Sequence, residues 1–294
     1  MNQAGDGDVL VAVEDPDHVA QLVRTAADLA RQRSGRIRVM TVVVKPPDSP
    51  FGLFSDETIV EEFAADSHEL LEQAPDPEGV ELVRDLVVAR SVAKGIVSAV
   101  EQGNPAALLI GWDSDPTRTD ALLGTTVDAV FKRAPTDVYA ERIGREADGV
   151  DRILVPVAGG PHVRAAAIGA GAIARANDAS VTLLSVAGKA VEREAATEFV
   201  ASARDPLGVG GGDEIAIETH VTTGDAEREI VAAAAEHDVI VLGATRQGVL
   251  RGRLVGSVPR RVVQGTDRTV IIARGKGGAR GVLGRVSAFL GGRR

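Results

Sequence analysis

The chain contains no cysteine. That excludes disulfides, thiolate catalysis and Cys-ligated zinc or iron–sulfur sites. Aromatic residues make up only 3% of it, so its cores must be built from Val, Leu, Ile and Ala, the composition of parallel strands buried on both faces. No apolar run approaches the roughly 20 residues of a membrane span. The longest, 165–174, is short and broken by glycine. The start, Met1 to Asp8, lacks the basic and apolar regions of a signal peptide, which makes the cytoplasm the expected location. Basic charge is also scarce, with 33 Lys and Arg against 42 Asp and Glu. A net charge of −9 offers no basic face to a phosphate backbone, so nucleic acid is not an expected partner.

What is present is apolar material, 44% of 294 residues, enough for about two domains. Val9 to Val13 is a continuous apolar run and reads as a buried strand. From about His18 the apolar residues recur at helical spacing (Leu22, Val23, Ala26, Ala27, Leu29, Ala30) until Gly35. Ile37 to Val44 reads as a second strand, Pro46 to Pro50 as loop, and Asp56 to Gln73 as helix. Val80 to Val88, then Val92 to Gln102, then Ala106 to Ile110 give strand, helix and strand, the last ending at Gly111. A helix over 125–133 and a short strand over 138–140 complete the half. Alternation at these lengths predicts βαβ units and a parallel sheet with right-handed crossovers.

The same order then repeats. Ile153 to Val157 matches the first strand at an offset of 144 residues, and so do His162 with His18 and Val181–Val186 with Ile37–Val42. Further on the offset is 132: Gly243 matches Gly111, and Gly256-Ser257 matches Gly124-Thr125. The missing 12 residues fall mainly around the first half's Pro46–Phe54 loop, whose Phe51, Leu53 and Phe54 suggest a lid or an interaction patch. Colinear matches at both ends establish an internal duplication, with expected domains at 8–143 and 150–274. Beyond them lies a Gly- and Arg-rich tail, 275–294, without an acid. Val282, Leu283, Val286, Phe289 and Leu290 in that tail have helical spacing. It reads either as a basic amphipathic contact to a membrane surface or acidic partner, or as a helix packed on its own domain or a disordered tail.

In an open parallel sheet, ligands bind beyond the carboxyl ends of the strands. In each half the fourth strand reaches a glycine, and a Gly-Ser or Gly-Thr pair follows 13 residues later at an expected helix start. Free N–H groups at a helix start, with glycines that let the backbone approach, suit a phosphate. Ser257 can cap that helix and donate a hydrogen bond, and Pro259 suits an early helical position.

These residues resemble the universal stress protein family (UspA-like), whose ATP-binding members carry Gly-x2-Gly-x9-Gly-[Ser/Thr] at this place. The resemblance covers nearly the whole chain, once per half, and includes the Ile-Leu-Val-Pro-Val opening at 153–157. It implies two tandem α/β domains of Rossmann-like, adenine nucleotide alpha hydrolase-like fold, each a five-stranded mainly parallel sheet with helices on both faces. It also implies phosphate contacts at Gly243, Gly248, Gly256, Ser257 and Val258, and adenine near Pro156, Val157, Ala158 and Val186. The motif's second glycine is replaced by Arg246 here and by Ser114 in the first half. Arg246 either crowds the loop or donates to phosphate. The weaker first-half site comprises Ala12, Val13, Glu14, Gly111, Ser114, Gly124 and Thr125, with Asp113, Asp115 and Asp120 repelling a polyphosphate unless a divalent cation intervenes.

No other constellation competes. The five histidines have no metal-ligand spacing, and His18 and His162 read as capping or surface residues. The runs Glu61-Glu62 and 225–229 read as solvated helix faces, and Trp112 as a packing residue or a cover for a ligand. There is no Gly-x-Ser-x-Gly elbow and no Gly-Lys-[Ser/Thr] loop. The expected protein is a stress-response regulator binding ATP or AMP, with Mg²⁺ if ATP, and not an enzyme: any hydrolysis would be slow and incidental. The alternative is a nucleotide-independent module docking on a partner such as a membrane transporter. The two halves are expected to pair through Thr136–Arg142 and Thr269–Arg274, the edge that forms the homodimer in single-domain relatives.

Overall fold

The structure, a computed structural model, describes residues 7–45, 54–112, 124–143, 145–208, 214–244 and 257–277. The first half runs β1 (Val9–Ala12), α1 (Pro16–Gln32), β2 (Ile37–Val44), α2 (Asp56–Phe63), α3 (Ala65–Glu72), β3 (Leu82–Ala89), α4 (Val92–Gly103), β4 (Ala107–Trp112), α5 (Gly124–Arg133) and β5 (Asp137–Arg142). The second runs β6 (Arg152–Pro156), α6 (Val163–Asn177), β7 (Ser180–Ala187), a 3₁₀ turn (Ala190–Glu192), α7 (Arg193–Leu207), β8 (Ile217–Thr223), α8 (Ala226–Ala234), β9 (Val239–Gly243), α9 (Ser257–Gly265) and β10 (Thr269–Arg274).

Among the described residues, ten strands join one sheet in the order β3-β2-β1-β4-β5-β10-β9-β6-β7-β8. Within each half every pairing is parallel; only the seam, β5 against β10, is antiparallel, with Ile272 opposite Ala140. These two residues are 132 apart, the repeat offset, so a pseudo-twofold axis passes between them. The carboxyl ends of the two sets of strands therefore face opposite ways.

The aliphatic runs behave as parallel strands require. Val9, Val39, Leu109, Val155, Leu183 and Val241 are fully buried on one face, with Leu10, Leu108, Leu154 and Ile240 on the other. Burying each such side chain contributes about 1.5–3 kcal/mol. One face is covered by α1, α3, α6 and α7, with α1 and α6 packing on each other across the seam, and the other by α4, α5, α8 and α9.

Three expectations need correction. Residues 56–73 form two helices, because the backbone leaves helical geometry at Ala64 (φ −109°, ψ 23°). β4 continues through Gly111 to Trp112, since Trp112 pairs with Arg142 of β5. β3 begins at Leu82 rather than Val80. The loop 46–53 and the amphipathic spacing of 282–290 lie outside the described residues. No helix among the described residues is long and apolar enough to cross a membrane.

Candidate functional site

Each half opens a cavity at the carboxyl ends of its own strands, so the two sit at opposite ends of the sheet. The second-half cavity measures about 200 Å³. Pro156, Val157 and Ala158 leave β6 along its floor, Val186 comes from β7, Gly243 from β9 and Val258 from the first turn of α9. These six residues, predicted from sequence, line one space. Ser257 is the first residue of α9 and is exposed beside Val258. Arg246, Gly248 and Gly256 lie outside the described residues.

Local chemistry shapes this end. Val157 leaves β6 with its N–H still bonded to Leu184 O at 2.8 Å, so the chain departs only at Ala158. Gly159 and Gly160 then turn it with φ of 72° and 95°, the left-handed region that glycine enters without steric cost. At Gly243 a Cβ would stand 3.2 Å from the backbone carbon of His162, so a side chain would force the start of α6 away from β9. No acid stands in the first turn of α9. The helix start therefore keeps its partial positive charge unopposed from within its own first turn.

His162 departs from its expected role. It occupies the N-cap position of α6 without capping it, is only 5% exposed, and lines the cavity. Its Nδ1 accepts the N–H of Gly275 at 3.2 Å, which ties the end of β10 to the cavity wall. Gly159, Gly160, Leu184 of β7 and Ala226 of α8 also line the space. Sequence reasoning missed them. The Gly-Gly pair was a usable turn signal, whereas α8 reaches the cavity only through the tertiary fold.

The first-half cavity is larger, about 350 Å³, and includes Ala12, Val13, Glu14 and Gly111. Gly124 (φ 76°) and Thr125 open α5, and Thr126 and Val127 line the cavity from its first turn. Ser114 lies outside the described residues. Glu14, Asp15 and His18 stand at the mouth, with His18 Nδ1 3.7 Å from an Asp15 carboxylate oxygen. Asp15 is the N-cap of α1, accepting the N–H of Asp17, so His18 falls inside the helix. Their counterparts at the repeat offset are Ala158, Gly159 and His162. One cavity is therefore acidic at its mouth and the other uncharged. Trp112 is 3% exposed and forms part of the first cavity's wall. Among the described residues, no group of three or more His, Asp or Glu is arranged to hold a metal ion.

The comparisons with known proteins agree with this architecture. The model of the universal stress protein family matches residues 7–141 and again 149–274. A universal stress protein from Archaeoglobus fulgidus DSM 4304 superposes with a TM-score of 0.63 at 16% identity, over 91% of this chain and 98% of that one. A Pseudomonas aeruginosa UCBPP-PA14 protein assigned to the universal stress proteins gives 0.58 at 18% identity, over 92% and 94%. The cytoplasmic domain of a prokaryotic cation chloride cotransporter gives 0.52 at 14% identity, over 94% and 96%. Among curated proteins none matches. With the family model matched once in each five-stranded half, the chain belongs to the universal stress protein family as a tandem pair of its domains.

Proposed function

We propose that this protein is a regulatory adenine-nucleotide binder of the cytoplasm, with its working site in the second-half cavity and no dedicated catalytic centre. One observation carries the reading: Pro156, Val157, Ala158, Val186, Gly243 and Val258, drawn from four elements, converge on one uncharged cavity at a helix start. Apolar walls suit the faces of a flat base. The free N–H groups and partial positive charge of α9 suit phosphate, with Ser257 beside them as a hydrogen-bond donor. Mg²⁺ would accompany ATP and neutralise charge beyond the helix start. In the first half, Glu14 and Asp15 oppose a polyphosphate, so that site is the weaker one.

The test is thermal unfolding with and without ATP, ADP or AMP plus Mg²⁺, on the parent and a Gly256→Glu/Ser257→Glu variant. Binding only the folded state at a hundredfold excess over Kd stabilises by about 2.7 kcal/mol, which the parent should show and the variant should not. Absence of any nucleotide-dependent shift in the folded parent would sink the reading and leave the glycines as turn residues.

A further inference from the structure

The seam carries a reciprocal pair of buried arginines. Arg142 at the end of β5 is 2% exposed, and Arg274 at the end of β10 is 3% exposed. They stand 132 residues apart and are therefore repeat equivalents. Each reaches into the opposite half. Arg142 Nη1 donates to Val263 O and Thr266 O, both at 2.8 Å, and its Nη2 donates to Arg268 O at 2.6 Å. These carbonyls belong to the last turn of α9 and the loop after it. Arg274 Nη2 donates to Ala134 O at 2.6 Å, just past the end of α5. A guanidinium on the carbonyl end of a helix satisfies acceptors that have no partner within the helix and complements its partial negative charge.

The same two helices open the two cavities. α9 starts with Val258 and Pro259 in the wall of the second-half cavity and ends on Arg142. Arg142 is the register partner of Trp112, and the next residue, Ile143, donates its N–H to Trp112 O at 2.9 Å. Trp112 and Ile143 both line the first-half cavity. In the other direction, α5 starts with Thr126 and Val127 in the first-half cavity and ends on Arg274. The following residue, Gly275, donates to His162 in the wall of the second-half cavity. Helices of 10 and 9 residues are about 15 and 14 Å long at 1.5 Å per residue. Each therefore runs from its own half's cavity to the strand end beside the other's.

We propose that Arg142 and Arg274 are positioning residues that couple the two cavities crosswise, through the long axes of α9 and α5. A ligand that draws on the start of α9 shifts its far end on the Arg142 fork, and the fork adjoins the Trp112 wall. The planar fork fixes donor directions, so a small axial movement breaks one hydrogen bond in favour of another. By linkage, occupancy of the first-half cavity changes affinity at the second by the same factor. The nucleotide-driven form of this coupling rests on the reading proposed above; the mechanical form does not.

The test uses the full chain as parent, Arg142→Lys and Arg274→Lys, since lysine keeps the charge and loses the fork. The chain has one tryptophan, Trp112, so its emission reports the first-half cavity alone. In the parent, Mg²⁺-ATP binding heat at the second site should be accompanied by a change in Trp112 emission with the same midpoint. In Arg142→Lys the heat should persist while most of the emission response is lost. Binding heat without an emission change in the parent, or an undiminished response in Arg142→Lys, overturns the proposal.

Amide exchange without nucleotide gives the second arm. Arg142→Lys should speed exchange over residues 258–263 and leave 125–130 near the parent, and Arg274→Lys should do the reverse. A uniform rise over all helices, or no change at either helix start, overturns the coupling. If ATP gives no heat, the nucleotide reading fails and the exchange pattern alone decides the clasp.

Discussion

Helices α1 and α6 are the same element of the repeat, yet they meet the seam with opposite chemistry. Gln21, Thr25 and Asp28 on α1 are buried, and their counterparts 144 residues later on α6 are Ala165, Gly169 and Ala172. β5 likewise carries Tyr139 and Glu141 where β10 carries Ile271 and Ala273, 132 residues later. At these positions the first half carries polar or bulky groups and the second carries small or aliphatic ones. Tyr139 packs its ring on Gly169 and donates its hydroxyl to Ala165 O at 3.0 Å. Gln21 Nε2 donates to Glu141 Oε1 at 2.8 Å, and Asn177 of α6 donates to Asp28 at 3.3 Å. A homodimer of identical halves would have to make every such contact twice, residue i on j and j on i, with the same side chains at both. The duplicated chain is free of that requirement, so the seam pairs large with small across the pseudo-twofold.

The largest effect expected from this asymmetry is the pH dependence contributed by the buried acids of the first half. Burial pushes Glu141 up to about 7 from the usual 4.5, against the opposing hydrogen bond from Gln21. Burial likewise pushes Asp28 up to about 6 against the neighbouring Arg31. For an acid whose folded value is raised, the contribution to stability is full below the unfolded value and is lost as pH rises through the folded one. The parent should therefore lose stability between about pH 4.5 and 7 from Glu141, by on the order of 3 kcal/mol. Glu141→Gln should remove the part of the loss that extends up to about pH 7, leave that of Asp28 at lower pH, and stabilise the protein at pH 8, measured by urea unfolding across pH. An unchanged slope would mean that Glu141 is not the group responsible.

The second effect is steric. A Cβ on Gly169 would lie 2.6 Å from the ring of Tyr139, which is fully buried. Gly169→Ala should cost about 2 kcal/mol through overpacking, outweighing the roughly 1 kcal/mol that alanine gains over glycine inside a helix. The double variant Gly169→Ala/Tyr139→Leu should recover part of the loss. If Gly169→Ala instead raises Tm, the small-on-large account of the seam is wrong.

The cavities offer a third, smaller contrast. The Cβ of Gly243→Ala meets the backbone of His162, which can yield only by moving α6, whereas that of Gly111→Ala meets the side chain of Ile143, which can turn aside. The first substitution should cost about 1 kcal/mol more than the second. It should also weaken any nucleotide-dependent rise in Tm, while Gly111→Ala leaves that rise near the parent's. Equal costs, or a rise lost only in Gly111→Ala, would reverse the ranking of the two sites.

How far the sequence shows these features depends on the range of the forces involved. Strands, helices and the duplication are local or periodic signals: a run such as Ile153 to Val157 declares a buried strand by composition alone. Pro156, Val157, Ala158 and Val186 are named through the family resemblance, and they lie at the carboxyl ends of the repeat's first two strands. The seam was visible only as a pair of strands, because Gln21 and Glu141 are 120 residues apart and neither carries a local mark of burial. Arg142 and Arg274 read as ordinary charged strand ends until the helix carbonyls beside them are seen. His162 looked like a surface residue for the same reason: its neighbour Gly275 is 113 residues away.

The smallest expected effect comes from one hydroxyl of this polar seam. Tyr139→Phe keeps the ring against Gly169 and removes the hydroxyl that donates to Ala165 O and lies beside Arg33. That carbonyl lies early in α6, where the helix supplies its own donor four residues on, so it is not left unpaired. The cost should therefore be about 1 kcal/mol, the net worth of one such bond, rather than the larger penalty of a buried orphan acceptor. Urea unfolding of the variant measures it. A loss of several kcal/mol would show that the hydroxyl fixes the relative seating of α6 and β5. The first half would then hold the second by direction as well as by volume.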